Sequence, residues 1–347
     1  MQTVYLAIFG IFFGYVLQRS RFCFAASFRD IFLLRNTALT RALIVALAVN
    51  TIGFTLAHFF SPTADLLING RIYPFGVHTL VGGFLFGCGM VIAGSCATGC
   101  LVRLGEGYLM QLGTFAGLLF GSLLGAWHLN WWLPVISTSP VLFLPELWGW
   151  PAAIIMQLLL FAVLFFFAVK YEGTKDVWSF FWSPAGSWSY GKGAIILALT
   201  NTFYLILYQR TWGVSSGITN LAGGILGFFG VCVAHWRYFQ QELSAEKSIL
   251  FAHPLVCLVL AMILGAFLAS LLHREFRIRR PRTKKYYYFA MLGGLMMGYG
   301  TRLASGCNVG ALLSGISSFS LHGWIFSIAV FAGSYFGGKL LLRYLIE

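Results

Sequence analysis

Charge is scarce in this sequence. Asp, Glu, Lys and Arg together make up 10% of its 347 residues, and only ten residues are acidic. An average soluble domain carries about 25% charged residues, so this scarcity excludes a soluble catalytic domain of ordinary size. The basic excess gives a net charge of +13. Because these residues lie in short loops between apolar runs, they do not indicate a nucleic-acid-binding surface.

Paired cysteine motifs are also missing. The seven cysteines are an odd number, no CxxC occurs, and most of them lie inside apolar segments. This pattern excludes a disulfide scaffold and a zinc ribbon, and it predicts free thiols. The first apolar run, residues 2–18, has no basic residue before it and no small-residue cleavage pattern after it. We therefore expect a retained helix rather than a cleaved signal peptide.

Hydrophobic residues make up 59% of the chain. A helix needs about 20 mainly apolar residues to cross a hydrocarbon core of roughly 30 Å, and runs of that length recur along the sequence. The sequence therefore predicts an all-α integral membrane protein whose functional site lies between helices. About nine spans are predicted, at residues 2–18, 40–60, 78–95, 107–127, 150–169, 191–208, 252–272, 288–304 and 319–342.

The basic loops predict the orientation, because short loops rich in Lys and Arg usually face the cytoplasm. The densest run is Arg274–Lys285, and the next lies between Arg19 and Arg41. Nine spans put both inside, with the N-terminus outside and the C-terminus inside. Three weakly charged loops then lie outside: 61–77, 128–149 and 237–251. An extra crossing in the apolar segment 212–236 would place the basic loop Arg274–Lys285 outside the cell. We therefore predict a re-entrant or interfacial element there.

An internal repeat organises the chain. The stretch GGFLFGCGMVIAGSCATGC, from Gly82, aligns without gaps on GGLMMGYGTRLASGCNVGA, from Gly293, at an offset of 211 residues. In the predicted topology the matching helices run in opposite directions, which is the inverted repeat of many secondary transporters. We expect one membrane domain over 1–347, made of repeat 1 (about 1–130), a linking helix (150–169) and repeat 2 (about 190–347).

Both copies interrupt a hydrophobic helix with small residues, GSCATG in the first and ASGCNVG in the second. Their glycines, Gly94, Gly99, Gly306 and Gly310, allow a re-entrant break and close approach of backbone. Such breaks persist only where they are buried in protein or line a polar cavity, and the half-helices that follow would direct partial positive charge at an anion. The alternative is that the small residues only let helices pack tightly. This interpretation is less favoured because the motif occurs at corresponding places in both halves.

Cys96 and Cys307 are the cysteine pair that the repeat preserves. A thiol is a soft, weakly donating group that suits a sulfur-containing ligand. Cys23 follows the first helix amid arginines, and its position alone leaves open whether it lines the cytoplasmic mouth of a path or only packs. Three cysteines on apolar runs have no repeat partner and are expected to pack: Cys88, Cys232 and Cys257.

A metal site is an alternative use of the cysteines. The spacing Cys88-x7-Cys96-x3-Cys100 could bring three thiolates to one soft metal ion. Glycines interrupt that helix, however, and two of the three thiols have no counterpart in the second copy. We therefore predict neither a metal nor another cofactor.

Three charged residues lie near the breaks: Arg103, Glu106 and Arg302. Ionisable groups inside a membrane are costly and tend to be functional. Arg103 and Glu106 could instead simply pair at the cytoplasmic boundary. Arg302 could attract an anion or extend to the outer surface, and the sequence does not separate these two roles.

The motifs together resemble a known family. QRSRFCF, the Gly82 stretch followed by RLGEG, REFRIR, and the Gly293 stretch are similar to the YeeE/YedE family of sulfur-transport membrane proteins, and most of all to its thiosulfate importers. The resemblance implies a nine-span protein of the prokaryotic inner membrane that takes up thiosulfate along a path lined by Cys23, Cys96 and Cys307. The family is also associated with a small single-cysteine sulfurtransferase on the cytoplasmic side.

Thiosulfate is a dianion. Its transfer from water into hydrocarbon is strongly unfavourable in free energy unless fixed dipoles replace its water. Half-helix N-termini and neutral thiols that donate weak S–H···S contacts could pass it between shallow sites. The competing hypothesis is an intramembrane thiol enzyme, in which Cys96 or Cys307 forms a persulfide and hands sulfane sulfur to a cytoplasmic acceptor. No base or redox motif supports an enzyme, so transport is the prediction.

The predicted orientation can be tested by labelling. In a cysteine-free background, Ser137→Cys should react with a membrane-impermeant maleimide in intact cells and Arg280→Cys should not, because the basic loop is expected inside. Permeabilised cells should label both positions, which controls for expression. Labelling of position 280 alone in intact cells would exclude this orientation.

Overall fold

Helices build the fold in the part of the chain that the structure describes. The structure is a computed structural model that describes residues 2–60, 72–173, 176–182, 186–240, 253–281 and 283–346. The predicted outer loops 61–77 and 237–251 therefore lie mostly outside the described residues, as does Arg282 of the basic loop.

The helices follow one another along the chain with short connections. In order they are α1 (Gln2–Ser20), α2 (Phe24–Leu34), α3 (Ala38–Phe60), α4 (Val77–Ile92), α5 (Ala97–Gly105), α6 (Met110–Trp127), α7 (Leu129–Ser137), α8 (Leu144–Trp148), α9 (Trp150–Glu172), α10 (Tyr190–Tyr208), α11 (Val214–Phe228), α12 (Pro254–Leu272), α13 (Lys285–Leu303), α14 (Asn308–Ser317) and α15 (Leu321–Leu341). Each of the predicted spans falls on one of the longer helices.

Seven helical segments of the described chain are long and apolar enough to cross a membrane. They are Ala38–Phe60, Val77–Gly105, Met110–Trp127, Trp150–Glu172, Tyr190–Tyr208, Pro254–Leu272 and Leu321–Tyr344. The other two predicted spans coincide with α1 and α13, which are 19 residues long each. The chain is thus a multi-pass helical membrane protein, while the count of nine crossings and the orientation stay predictions.

Helix α9 shows how local sequence sets the ends of a span. It begins after Gly149 with Pro151 in its first turn, where a missing backbone N–H costs nothing. It ends at Gly173, whose φ of 69° is the left-handed conformation that closes many helices. Few of its side chains are buried inside the protein, so the predicted linking helix exposes its surface to lipid.

The segment 212–236 contains one short helix, α11. It has 15 residues, which at 1.5 Å per residue rise about 22 Å and fall short of a hydrocarbon core of roughly 30 Å. Its first two turns are buried in the protein, whereas Phe228 and Phe229 at its end are exposed. This length agrees with a re-entrant or interfacial element.

The helices pair reciprocally. Helix α4 packs on α15 as α13 packs on α6, and α1 packs on α12 as α10 packs on α3. Helices α4 and α13 also cross each other at the centre. A duplicated chain would produce this arrangement. Helices α4 and α13 correspond to each other in the predicted repeat, and so do the helices on which they pack, α15 and α6.

Glycines make the central crossing of α4 and α13 possible. A Cβ atom on Gly89 would lie 2.5 Å from the carbonyl oxygen of Gly293, and a Cβ on Gly293 would lie 2.6 Å from that of Gly89. Gly82 and Gly300 oppose each other in the same way, at 2.7 and 2.5 Å. Gly82 and Gly89 match Gly293 and Gly300 at the offset of 211 residues, so the crossing is symmetric in sequence as well as in space.

Both central helices end at the small-residue motifs. Helix α4 stops at Ile92 and α5 begins at Ala97, while α13 stops at Leu303 and α14 begins at Asn308. The turn in the first break needs Gly94, whose φ is +70°. The aligned residue of the second break, Ser305, has a φ of +51°, so the two turns share one conformation although only one of them has a glycine.

The crossing predicts a sharp effect of one methyl group. Gly89→Ala should lower stability by about 1–3 kcal/mol, because the new Cβ meets a backbone oxygen that cannot rotate away. Thermal unfolding in detergent, followed by tryptophan fluorescence, should show a lower Tm. The control is Gly227→Ala in α11, where a Cβ has nothing within 4 Å. An unchanged Tm for Gly89→Ala would show that the helices separate without cost.

Candidate functional site

The three cysteines of the predicted path share one local geometry. Cys23, Cys96 and Cys307 each occupy the position immediately before a helix, at the start of α2, α5 and α14. The Gly99 N–H donates to Cys96 Sγ at 3.3 Å. The N–H groups of the first helical turn and the positive end of the helix dipole therefore lie beside each thiol, which favours negative charge nearby.

Two of the thiols border the same small space. A Cβ atom on Gly99 would lie 3.6 Å from Cys96 Sγ and 3.9 Å from Cys23 Sγ. The thiol of Cys307 is also close enough to interact electrostatically with Cys96. Cys96 and Cys307 are buried and Cys23 is partly exposed. Cys23 and Cys96 thus approach each other at Gly99, and Cys23 is the most exposed of the three thiols.

A cavity of about 390 Å³ opens at Cys23 and Gly99. Its walls carry five arginines and two carboxylates: Arg21, Arg103, Arg274, Arg277, Arg279, Glu106 and Glu275. The charge of the walls is positive, so the cavity would attract a small anion. It lies on the side of the Arg-rich loop, which the sequence predicts to be cytoplasmic.

The Arg-rich loop forms a wall of this cavity because it is fastened to the end of α5. Arg279 N–H donates to Gly107 O at 2.9 Å, and Leu109 N–H donates to Arg279 O at 3.1 Å. The Arg279 guanidinium donates to the Tyr108 hydroxyl and lies 4.5 Å from the centre of its ring. The sequence predicted this loop only as a topology signal. The motifs REFRIR and RLGEG, which supply both sides of the contact, were the available hint.

Arg103 supports the first break. Its Nη1 donates to the carbonyl oxygen of Gly94 at 2.8 Å, and its guanidinium faces the Tyr108 ring at 5.7 Å. Arg103 therefore supplies a hydrogen bond to the Gly94 carbonyl, which has no helical partner because the helix is interrupted there. Arg103 and Glu106 both line the cavity.

The two carboxylates of the cavity differ in their surroundings. Burial would raise the pKa of Glu275, but the hydrogen bond from Gln18 and the charges of Arg21 and Arg19 outweigh it and lower the pKa. Burial raises the pKa of Glu106 above its usual value, and the nearby guanidinium groups offset only part of this effect. Glu106 is therefore the carboxyl of the cavity that gains a proton more readily.

Two side chains that the sequence analysis missed support the ends of α4 and α13. Gln111 Nε2 donates to Ala93 O at 3.4 Å, and its Oε1 accepts from Ser95 Oγ at 2.7 Å. His322 Nε2 lies 2.8 Å from Ala304 O. Gln111 and His322 are separated by the repeat offset of 211 residues, as are Ala93 and Ala304. Extending the alignment beyond the cysteine motifs would have paired them.

The glycines of the second break act through packing. A Cβ on Gly306 would lie 2.9 Å from the backbone nitrogen of Ala311, so a side chain there would press on α14. Gly310 is buried within the π-helical turn Asn308–Ser314 that begins α14. Gly99 leaves the space between two thiols open, and Gly94 provides the left-handed turn.

The remaining cysteines lie apart from the cavity wall. Cys88 and Cys100 are buried, Cys257 is partly buried and Cys232 is exposed. Cys100 Sγ donates to Gln111 O at 3.5 Å. Within the described residues, Cys88, Cys96 and Cys100 do not form a group that could hold a metal ion.

Arg302 points into the protein. It is only 8% exposed, and its guanidinium lies 5.0 Å from the centre of the Tyr238 ring. Its Cβ packs against Gly125 in α6 so closely that a Cβ on that glycine would lie 2.7 Å from it. The side chain is therefore held between α6 and the segment after α11, which excludes free extension to the surface.

Comparison with known proteins assigns the class. A family model described as Sulphur transport matches residues 19–336, and the chain belongs to this family. The resemblance drawn from the motifs is thereby confirmed.

Two named relatives align over most of the chain, and a third aligns over half of it. The thiosulfate transporter TsuA of Spirochaeta thermophila is 29% identical over 363 residues, which cover 96% of this chain and 97% of the relative. The thiosulfate transporter TsuA of Escherichia coli is 27% identical, with 92% and 88% covered. The probable transporter YedE of Escherichia coli is 33% identical over 179 residues, which cover 50% of this chain and 42% of the relative.

Proposed function

We propose that this protein takes up thiosulfate across the prokaryotic inner membrane along a path formed by Cys307, Cys96 and Cys23. The observation that carries the proposal is the position of Cys23 and Gly99 at the base of an arginine-lined cavity, directly beside the buried Cys96 thiol. Two relatives that align over nearly their whole length are named thiosulfate transporters. These features support transport of a sulfur anion by the thiols.

The main physical difficulty for this path is the charge of the substrate. A dianion loses its water on entering the protein, and fixed dipoles must replace that water. The helix starts beside Cys23, Cys96 and Cys307 supply backbone N–H groups for this purpose. Neutral thiols add weak S–H···S contacts to the terminal sulfur, so no single site holds the ion too tightly to leave. A thiolate would repel the dianion, so the mechanism requires the protonated form.

The arginine-lined cavity is the exit in this proposal. The ion leaves Cys23 on the cytoplasmic side, where a small single-cysteine sulfurtransferase would receive its sulfur. In the competing thiol enzyme, Cys96 or Cys307 would attack the terminal sulfur of thiosulfate, break its S–S bond and release sulfite, which leaves a stoichiometric persulfide on that cysteine. Mass spectrometry of the protein distinguishes the two mechanisms, because transport leaves the thiols unmodified.

Serine substitutions test the thiols. Cys96→Ser, Cys307→Ser and Cys23→Ser should each reduce uptake of labelled thiosulfate into proteoliposomes by roughly tenfold or more. A hydroxyl keeps a donor but is harder and shorter, so it loses the soft contact. Unlabelled sulfate should compete much less well than thiosulfate, because the terminal sulfur is the atom that the thiols recognise.

The matched controls are Cys88→Ala and Cys257→Ala, which should cost on the order of 1 kcal/mol of stability and leave uptake per folded molecule nearly unchanged. Full uptake by the double variant Cys96→Ser, Cys307→Ser at normal folded yield would remove the thiols from the mechanism. Equal competition by sulfate would do the same.

Gly99→Ala tests the connection between Cys96 and Cys23. The new methyl would stand 3.6 and 3.9 Å from the two sulfur atoms and 3.5 Å from Ser95 Cβ, which are ordinary contacts. Alanine also favours a helix by up to about 1 kcal/mol over glycine. The variant should therefore fold as well as wild type and yet transport several-fold less, because the methyl occupies the space between the thiols.

Gly227→Ala is the control for Gly99→Ala, since it makes the same change in a helix with nothing nearby. Tm and uptake should be measured on the same preparations. Wild-type uptake by Gly99→Ala would mean that the ion does not pass between Cys96 and Cys23.

A further inference from the structure

One carboxylate of the cavity has partners in the protein for both of its oxygen atoms. Glu275 Oε1 lies 3.4 Å from Arg19 Nη1 and 3.6 Å from Arg21 Nη2. Its Oε2 accepts a hydrogen bond of 2.8 Å from Gln18. Glu275 therefore belongs to a fixed ion-pair cluster in the cavity wall.

Glu106 is in a different position. Its carboxyl lines the same cavity as Arg103, Arg279 and Arg21, and the positive charges of these three residues act to lower its pKa. Arg103 and Arg279 are themselves held by Gly94 O and by Tyr108. Glu106 thus faces guanidinium groups that are fixed in place, and it is the acidic group available to neutralise them.

Charged and titratable groups approach Glu106 from every element that forms the cavity. They are Arg21 after α1, Cys23 before α2, Arg103 on α5, Tyr108 after α5, and Arg274, Glu275, Arg277 and Arg279 of the Arg-rich loop. Arginines dominate this set and do not titrate in the accessible range. The protonation of Glu106 therefore decides how much positive charge the cavity presents.

An anion that leaves Cys23 enters the same set of guanidinium groups. Cys23, Gly99, Arg103 and Glu106 all line the one cavity. Several fixed guanidinium groups would bind a dianion strongly, whereas a transport path must release its ion as readily as it binds it. The cavity therefore needs a group that competes with the ion for the same arginines.

We propose that Glu106 is a release gate, a carboxyl that is protonated while the transported dianion occupies the cavity and that displaces the dianion from Arg103 and Arg279 when it ionises. The inference rests on the proposed function and adds to it a proton that Glu106 holds while the ion occupies the cavity. That proton passes from water to the Glu106 carboxylate as the anion binds and returns to water as the anion leaves. No other bond changes.

The surroundings of Glu106 agree with this role. Burial raises the pKa of its carboxyl, and a dianion nearby would raise the pKa further. By linkage, protonation of Glu106 must then strengthen anion binding by the same factor by which the anion strengthens protonation. Anion affinity should therefore rise as the pH falls toward the pKa of Glu106 and weaken as the pH rises above it.

Calorimetry on the purified full chain in nanodiscs tests the gate. Thiosulfate is titrated at about pH 5.5 and about pH 7.5, in pairs of buffers with different ionisation enthalpies. Wild type should bind roughly five- to tenfold more tightly at the lower pH and take up protons on binding. Glu106→Gln should bind at both pH values as tightly as wild type does at the lower one, with no proton uptake at that site.

Two variants make the result specific. Glu146→Gln removes the same charge from an exposed position in α8 and should keep the wild-type pH dependence, and Glu106→Asp should restore part of it. Wild type that binds without proton uptake overturns the gate without any variant, as does pH dependence that survives in folded Glu106→Gln. Wild type that binds and transports no thiosulfate at either pH overturns the proposed function together with the gate.

Discussion

A helix that stops within a membrane leaves backbone groups that no water can satisfy, and each such group costs several kcal/mol. The rest of this structure depends on meeting that constraint at two places. Arg103 donates to the freed Gly94 carbonyl, and Gln111 and His322 reach the last carbonyls of the two broken helices. These partners come from the helices that follow each break, so the chain that creates the unsatisfied groups also satisfies them.

The same constraint explains a buried polar cluster at the other end of α14. Gln157 Nε2 donates to Ile316 O at 2.9 Å, and Asn201 Nδ2 donates to Ser314 Oγ at 3.2 Å and to Asn50 Oδ1 at 3.1 Å. Helices α3, α9 and α10 thereby fix the carboxyl end of α14. Because both ends of α14 are held, the Cys307 thiol at its start has a defined position, which weak S–H contacts require.

The helices and their breaks were predictable because hydrophobic run length and small-residue motifs are local signals. The repeat singled out Cys96 and Cys307 and the family motif singled out Cys23, and their joint role in a path stays a prediction. The cavity was not predictable, since its walls join α1, α5 and the Arg-rich loop through contacts such as Arg279 with Gly107. The roles of Gln111 and His322 also depend on which carbonyls the breaks expose, and this is a property of three-dimensional geometry rather than of composition.

The two aligned segments differ at the end of the helix that follows each break. At the offset of 211 residues, Arg103 and Glu106 correspond to Ser314 and Ser317. The charged pair of the first half lines an open cavity, whereas both serines are fully buried, Ser314 against Asn201. Buried serines need only a few neutral partners, while guanidinium and carboxylate groups require water or an ion. Aligned positions of the two motifs therefore differ in charge and in exposure, although the helices that carry them begin at matching breaks.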